Sequence, residues 1–120
     1  MKEIQVFEIE VPVSANQRLI RAKNSRVLIN SKRYREWFSV AVLQLKQQRR
    51  LKTFEGRVGV SITMHFPDKR QRDLDNVLKG FFDACTHADV WKDDSQIDVL
   101  SIERAQIEKP GRLIAQVWEI

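Results

Sequence analysis

The segment covering residues 58–88 constrains the fold more than any other. Val58, Val60, Ile62, Met64 and Phe66 alternate without a break with Gly59, Ser61, Thr63 and His65. That is the period of a strand with one buried face. Pro67 stops it, and the basic loop Asp68-Lys69-Arg70-Gln71-Arg72 follows. Leu74, Val77, Leu78, Phe81, Cys85 and Ala88 then recur at helical spacing, with Asp75, Lys79, Asp83 and Thr86 opposite. The spacing predicts a helix over about residues 74–88. Strand-like stretches near residues 96–107 and 113–119 close the chain. Lys109-Pro110-Gly111-Arg112 joins them, and Pro then Gly at the central positions predicts a type II turn. A strand, an amphipathic helix and a further strand require a sheet on which the helix can lie.

The first half adds to this sheet. Residues 2–11 read as a strand whose apolar phase slips: Ile4 and Val6 share one face, then Phe7, Ile9 and Val11 the other. A β-bulge near Val6 is the expected cause. Residues 14–17 read as a loop, and two short strands are expected to flank Lys23-Asn24-Ser25. Asn30 or Ser31 can cap a helix carrying Tyr34, Trp37, Phe38, Ala41, Val42 and Leu45 on one stripe. It ends in the basic run 46–52, where cations meet the negative end of the helix dipole. The expected fold class is α+β: a single domain over residues 1–120, with one mixed β-sheet and two helices packed on it.

Composition removes whole classes of function. At 120 residues and 42% hydrophobic content the chain can bury a core without staples. Its single cysteine cannot form an intrachain bridge, which argues against a secreted disulfide scaffold. No apolar run approaches membrane length and no signal sequence opens the chain, so a cytoplasmic location and no membrane partner are expected. The net charge of +5 conceals two opposed halves. Residues 1–72 hold sixteen Lys and Arg against six acids, and residues 73–120 hold five against ten. A basic half suits a polyanion. Seven cations, Arg18, Arg21, Lys23, Arg26, Lys32, Arg33 and Arg35, precede Glu36 with no acid among them, and they favour phosphate contact over a merely solvated face.

The acids need a separate reason, since carboxylates repel phosphate. Asp73 and Asp75 stand where the basic loop becomes a helix, Lys79 follows Asp75 by one turn, and Asp93 and Asp94 come after that helix. Two readings are open. Asp73 or Asp75 can be an N-cap and dipole partner. Alternatively the carboxylates meet at one site, where one keeps a proton or a cation fills it. All-oxygen donors suit Mg²⁺ or Mn²⁺, and there is no His or Cys cluster for zinc. A metal beside Lys79, flanked by Lys69, Arg70 and Arg72, is equipped to hydrolyse a phosphodiester.

The run Met64-His65-Phe66-Pro67-Asp68-Lys69-Arg70-Gln71-Arg72-Asp73-Leu74-Asp75-Asn76-Val77-Leu78-Lys79, with Phe82-Asp83-Ala84 and Val90-Trp91-Lys92-Asp93-Asp94, resembles the RusA family of Holliday junction resolvases. The match covers about residues 57–119. At the N-terminus Val11-Pro12-Val13-Ser14 stands where the family commonly has Pro-Pro-Ser, a departure that leaves the role of that loop open. The resemblance implies a homodimeric, Mg²⁺-dependent endonuclease of a bacterium, phage or prophage, with no nucleotide cofactor. Such enzymes nick four-way junction DNA symmetrically, prefer CC dinucleotides and leave ligatable ends. By motif, Asp73, Asp75 and Asp94 would be metal-binding catalytic carboxylates with Asp93 beside them, Lys79 the catalytic lysine, and the basic residues before Asp73 the grip on the backbone. A flap or fork nuclease, and a junction-binding accessory protein without activity, are the competing readings.

The remaining residues have plainer expected roles. Cys85 lies on an apolar stripe and reads as packing. Trp37, Phe38, Trp91 and Trp118 read as core. His65 reads as a surface or edge histidine, and Asp83 as an ion-pair partner of Lys79. Phe81 and Phe82 are adjacent, which leaves one free to meet a partner subunit.

Overall fold

The computed structural model describes residues 3–120, so Lys2 of the expected first strand lies outside the described residues. The chain runs β1 (Ile4–Ile9), α1 (Ala15–Arg18), β2 (Leu19–Arg21), β3 (Leu28–Asn30), α2 (Lys32–Gln48), β4 (Val58–His65), a 3₁₀ turn (Leu74–Val77), α3 (Leu78–His87), a second 3₁₀ turn (Asp94–Gln96), β5 (Ile97–Arg104) and β6 (Arg112–Glu119). Four strands form one mixed sheet in the order β1-β6-β4-β5, and β2 with β3 forms a separate ribbon. β6 is antiparallel to both β1 and β4, and β5 is parallel to β4. The expected α+β class and the mixed sheet are both present.

One face of the sheet carries the core. Phe7, Ile9, Val58, Val60, Ile62, Met64, Leu113, Ala115 and Val117 are buried against Tyr34, Trp37, Ala41 and Leu45 of α2 and Phe81, Ala84 and Cys85 of α3. Ser31 caps α2, its side chain accepting from Tyr34 N–H at 3.1 Å. A Cβ on Gly80 would lie 3.3 Å from the Trp37 ring, so this glycine allows α3 to sit close to α2. Phe81 and Phe82 both pack near Trp91, with ring centroids 6.5 and 6.1 Å away. The two rings also touch each other, with centroids 6.0 Å apart, so the three form one cluster in which Phe81 is buried and Phe82 half-buried.

Several expectations are corrected. The bulge near Val6 does not form: β1 pairs with β6 in one unbroken register from Ile4 to Ile9. Its core face is Gln5, Phe7 and Ile9, with Ile4 and Val6 exposed. Gln5 is buried because its amide serves the end of α2, donating to the Gln48 carbonyl at 3.2 Å and accepting from Arg50 and Leu51 N–H at 2.7 and 3.1 Å. Residues 15–18 form a helical turn rather than loop. The long helix from Leu74 begins as 3₁₀, with Asn76 N–H on the Asp73 carbonyl and Leu78 N–H on the Asp75 carbonyl. β5 and β6 are separated by β4, so their connection crosses the strand's end. There Lys109–Pro110 is cis, and Gly111 takes the positive φ, +94°, that the expected Pro-Gly turn asks of its glycine. His65 is buried, its Nδ1 2.8 Å from the Gln106 carbonyl.

Candidate active site

The loop between β4 and the first 3₁₀ turn folds back on Phe66. Arg72 reaches Asp68 at 2.7 Å, and its guanidinium lies 5.2 Å from the Phe66 ring. Arg104 of β5 approaches the same ring at 5.2 Å and donates to the Arg72 carbonyl. The backbone immediately before Asp73 is thereby fixed from the neighbouring strand. The Arg72 hydrogen bond is the main reason the Asp68 carboxyl falls to about 2, with Arg70 N–H adding to it. Lys69 and Arg70 remain exposed. Asp73 is extended at φ −91°, ψ 135°, and Asp75 sits in the turn. Both are exposed, and neither carboxylate has a hydrogen bond or ion pair among the described residues.

The return from α3 is built by Gln96. Asp93 caps the second 3₁₀ turn by accepting from Ser95 N–H at 2.9 Å, while Gln96 Oε1 accepts from Lys92 and Asp93 N–H at 2.8 and 2.9 Å. Gln96 Nε2 donates to the Phe54 and Gly56 carbonyls at 2.9 and 2.8 Å. These five bonds and the buried Trp91 hold Asp94 at the start of the second 3₁₀ turn, where its Oδ2 meets Lys79 Nζ at 3.1 Å. Asp93 is committed as a cap, and its hydrogen bond to Ser95 lowers its pKa.

Lys79 therefore ties α3 to the return loop, and it makes no ion pair with Asp73 or Asp75 among the described residues. It contacts Asp94 across the return and Asp83 one helical turn on, at 3.0 Å. Its hydrogen bonds to Asp83 and then Asp94 raise its pKa above the ordinary lysine value. Asp83 in turn holds Arg18 at 2.9 Å. Of the other sequence-predicted cations, Arg21, Lys23 and Arg26 lie on the β2–β3 ribbon, exposed and without an ion pair among the described residues. The sequence reading did not single out Gln96, Arg104 or the Arg18–Asp83 contact. Only the first had a local signal, the capping-box spacing from Asp93 to Gln96.

A sequence model of the endodeoxyribonuclease RusA family matches residues 9–117. The chain belongs to the RusA family. The crossover junction endodeoxyribonuclease RusA of Aquifex aeolicus (strain VF5) is 31% identical over 115 residues, 95% of this chain and 90% of that protein. Proteins of the same name from Escherichia coli (strain K12) and Enterobacteria phage 82 are each 41% identical over 63 residues, 52% of this chain and 52% of theirs. The RusA match begins ahead of Val11-Pro12-Val13-Ser14, so the family relation includes the N-terminal half as well.

In its donor chemistry the RusA site fits a hard divalent cation. It offers oxygen alone, and two carboxylates stand without a counter-charge. Among the described residues, no group of three or more His, Cys, Asp or Glu side chains is drawn together as a metal cluster. Asp94 is instead neutralised by Lys79. No helix is long and apolar enough to cross a membrane among the described residues.

Proposed function

We propose that this chain is a crossover junction endodeoxyribonuclease, a Holliday junction resolvase that hydrolyses one phosphodiester in each of two opposed strands. The observation that carries the reading is the meeting of Lys79, four residues after Asp75, with Asp94, in a chain of a nuclease family. Lys69 and Arg70 are placed to hold the backbone on one side of that turn, and Arg21, Lys23 and Arg26 extend the grip along the ribbon. The Lys79 ammonium stabilises the charge that develops on the phosphoryl oxygens. Asp73, Asp75 and Asp94 would hold Mg²⁺, or Mn²⁺ in its place, and the ion would supply Lewis acidity and a more acidic bound water. Cleavage leaves a 5′-phosphate and a 3′-hydroxyl.

A four-way junction is close to two-fold symmetric, so a homodimer with one site per subunit matches two opposed strands. The work is done in the cytoplasm of a bacterium, by a protein of host, phage or prophage origin. Incubation with a mobile four-way junction, a flap and a linear duplex, with and without Mg²⁺, tests the reading. The expected result is paired symmetric nicks in the junction, dependent on Mg²⁺, from a particle of dimer mass by light scattering. Equal cutting of all three substrates would make it a general structure-selective nuclease. Tight binding with no nick in any metal would make it an accessory protein.

A further inference from the structure

Arg18 differs from the cations that follow it. It ends α1 at the root of the β2–β3 ribbon, and its carbonyl accepts from Ser31 N–H at 2.7 Å. Arg21, Lys23 and Arg26 are exposed farther along. The Arg18 side chain is only 27% exposed and turns toward the protein. Its guanidinium lies 4.5 Å from the centroid of the buried Tyr34 ring, and Nη1 reaches Asp83 Oδ2 at 2.9 Å. Asp83 places its other oxygen, Oδ1, 3.0 Å from Lys79 Nζ. Lys79 Nζ then reaches Asp94 Oδ2 at 3.1 Å. Charges alternate from the ribbon root to the proposed catalytic carboxylate, with each link at hydrogen-bond distance.

The order of rigidity along this line is telling. Lys79 is 62% exposed on a flexible stem, so the two carboxylates are what fix its ammonium. Asp83 is fixed by Arg18, and Arg18 by an aromatic face and a backbone hydrogen bond. Without Arg18, Asp83 has one partner fewer and is free to change rotamer. Lys79 then loses the second carboxylate that shares it, and its ammonium is held by Asp94 alone.

We infer that Arg18 and Asp83 are positioning residues which together hold the Lys79 ammonium shared between Asp83 and Asp94, Arg18 being no phosphate contact. The inference rests on the reading of Lys79 and Asp94 as catalytic. As a phosphate contact, Arg18 would contribute to binding and to its salt dependence. As a positioning residue it contributes to the rate once the junction is bound.

The test uses the full-length protein, with single-turnover cleavage at saturating enzyme and junction affinity measured across a salt series. Arg18→Ala and Asp83→Asn are each expected to slow cleavage roughly tenfold or more, with affinity and salt slope at wild-type values. Arg18→Lys keeps the charge beside Asp83 and is expected to recover most of the rate. The double variant is expected to be no slower than Asp83→Asn alone, since both act through one lysine. Urea melts on each variant check that it remains folded. A wild-type saturated rate in Arg18→Ala, with weaker binding and a salt slope reduced by about one, would overturn the inference. So would multiplicative losses in the double variant. A slow Lys79→Ala beside a wild-type-like Arg18→Ala sinks the inference alone, whereas a wild-type-like Lys79→Ala sinks the site reading and the inference with it.

Discussion

Asp73 and Asp75 are two acids, two residues apart, in a loop otherwise rich in cations. The cations nearest them are committed elsewhere or point into solvent: Arg72 binds Asp68, and Lys69 and Arg70 are exposed. A carboxylate left charged and unpartnered beside a DNA-binding surface is costly unless a cation joins it when DNA is bound. Asp75→Asn keeps the shape and removes the charge. Its single-turnover cleavage is expected to fall by more than roughly a hundredfold, beyond the usual loss for an outer-shell group. Gel shifts without metal are expected to show junction binding at least as tight as wild type, since one repulsion of phosphate is gone. Cleavage at the wild-type rate would remove Asp75 from the site. The same loop makes a pH prediction. The Asp68 carboxyl titrates near 2, chiefly through its Arg72 hydrogen bond, below the ordinary unfolded value near 4. A depressed folded pKa means the ion pair stabilises above about pH 4, and that contribution disappears as pH falls toward 2. A carbon-detected NMR titration of Asp68 is expected to give a midpoint near 2 in the wild type and a return toward 4 in Arg72→Ala. An unmoved midpoint would remove Arg72 as the cause.

At the scale of elements, alternation and helical spacing were legible because they report which face of an element is buried. β4 and the stripe of α2 follow from that signal, whereas the ribbon was legible from the turn chemistry at Asn24, whose φ is +59°. Which strand lies beside which is not a local property, so nothing in the sequence places β6 between β1 and β4. The false bulge in β1 has the same origin. Gln5 is polar yet faces the core, because the end of α2 needs its amide. A polar residue used in this way is indistinguishable in sequence from a slip in phase. The candidate site divides along the same line. The Asp73–Lys79 turn was readable from spacing, whereas Arg104 and Arg18 reach it through contacts remote in sequence. Gln96 shows what the return loop depends on. Gln96→Ala removes four hydrogen bonds, one of them to a buried carbonyl, and is expected to cost about 2–4 kcal/mol of stability. Urea denaturation measures that loss, and cleavage is expected to fall with it as Asp94 loses its mount. Unchanged stability would mean the loop is held by Trp91 packing alone.

Over the whole molecule, folding pairs much of what the sequence separates. Arg18 and Arg57 of the basic half bind Asp83 and Asp98 of the acidic half, and Arg112 of the acidic half binds Glu8 of the basic half. The surplus of the first 72 residues is therefore not all available to DNA. The ribbon is where it stays available, since every residue of β2 and β3 is exposed and Arg21, Lys23 and Arg26 have no acid partner among the described residues. A two-stranded ribbon standing apart from the main sheet gains little from its own pairing. Its cations and its exposed Leu19, Ile20 and Leu28 are thus better explained by what it contacts than by what it stabilises. Replacing Arg21, Lys23 and Arg26 together with Gln is expected to leave the urea midpoint unchanged. Junction binding is expected to weaken, and the slope of log affinity against log salt to become shallower by about 2–3, near one counterion for each phosphate no longer neutralised by the protein. Fluorescence anisotropy with a labelled four-way junction across roughly 50–200 mM salt reads both quantities. A wild-type slope in the triple variant would move the DNA grip off the ribbon and onto the Lys69–Arg70 loop. A shallower slope with an undiminished saturated cleavage rate would separate holding the junction from cutting it, and place each on its own element.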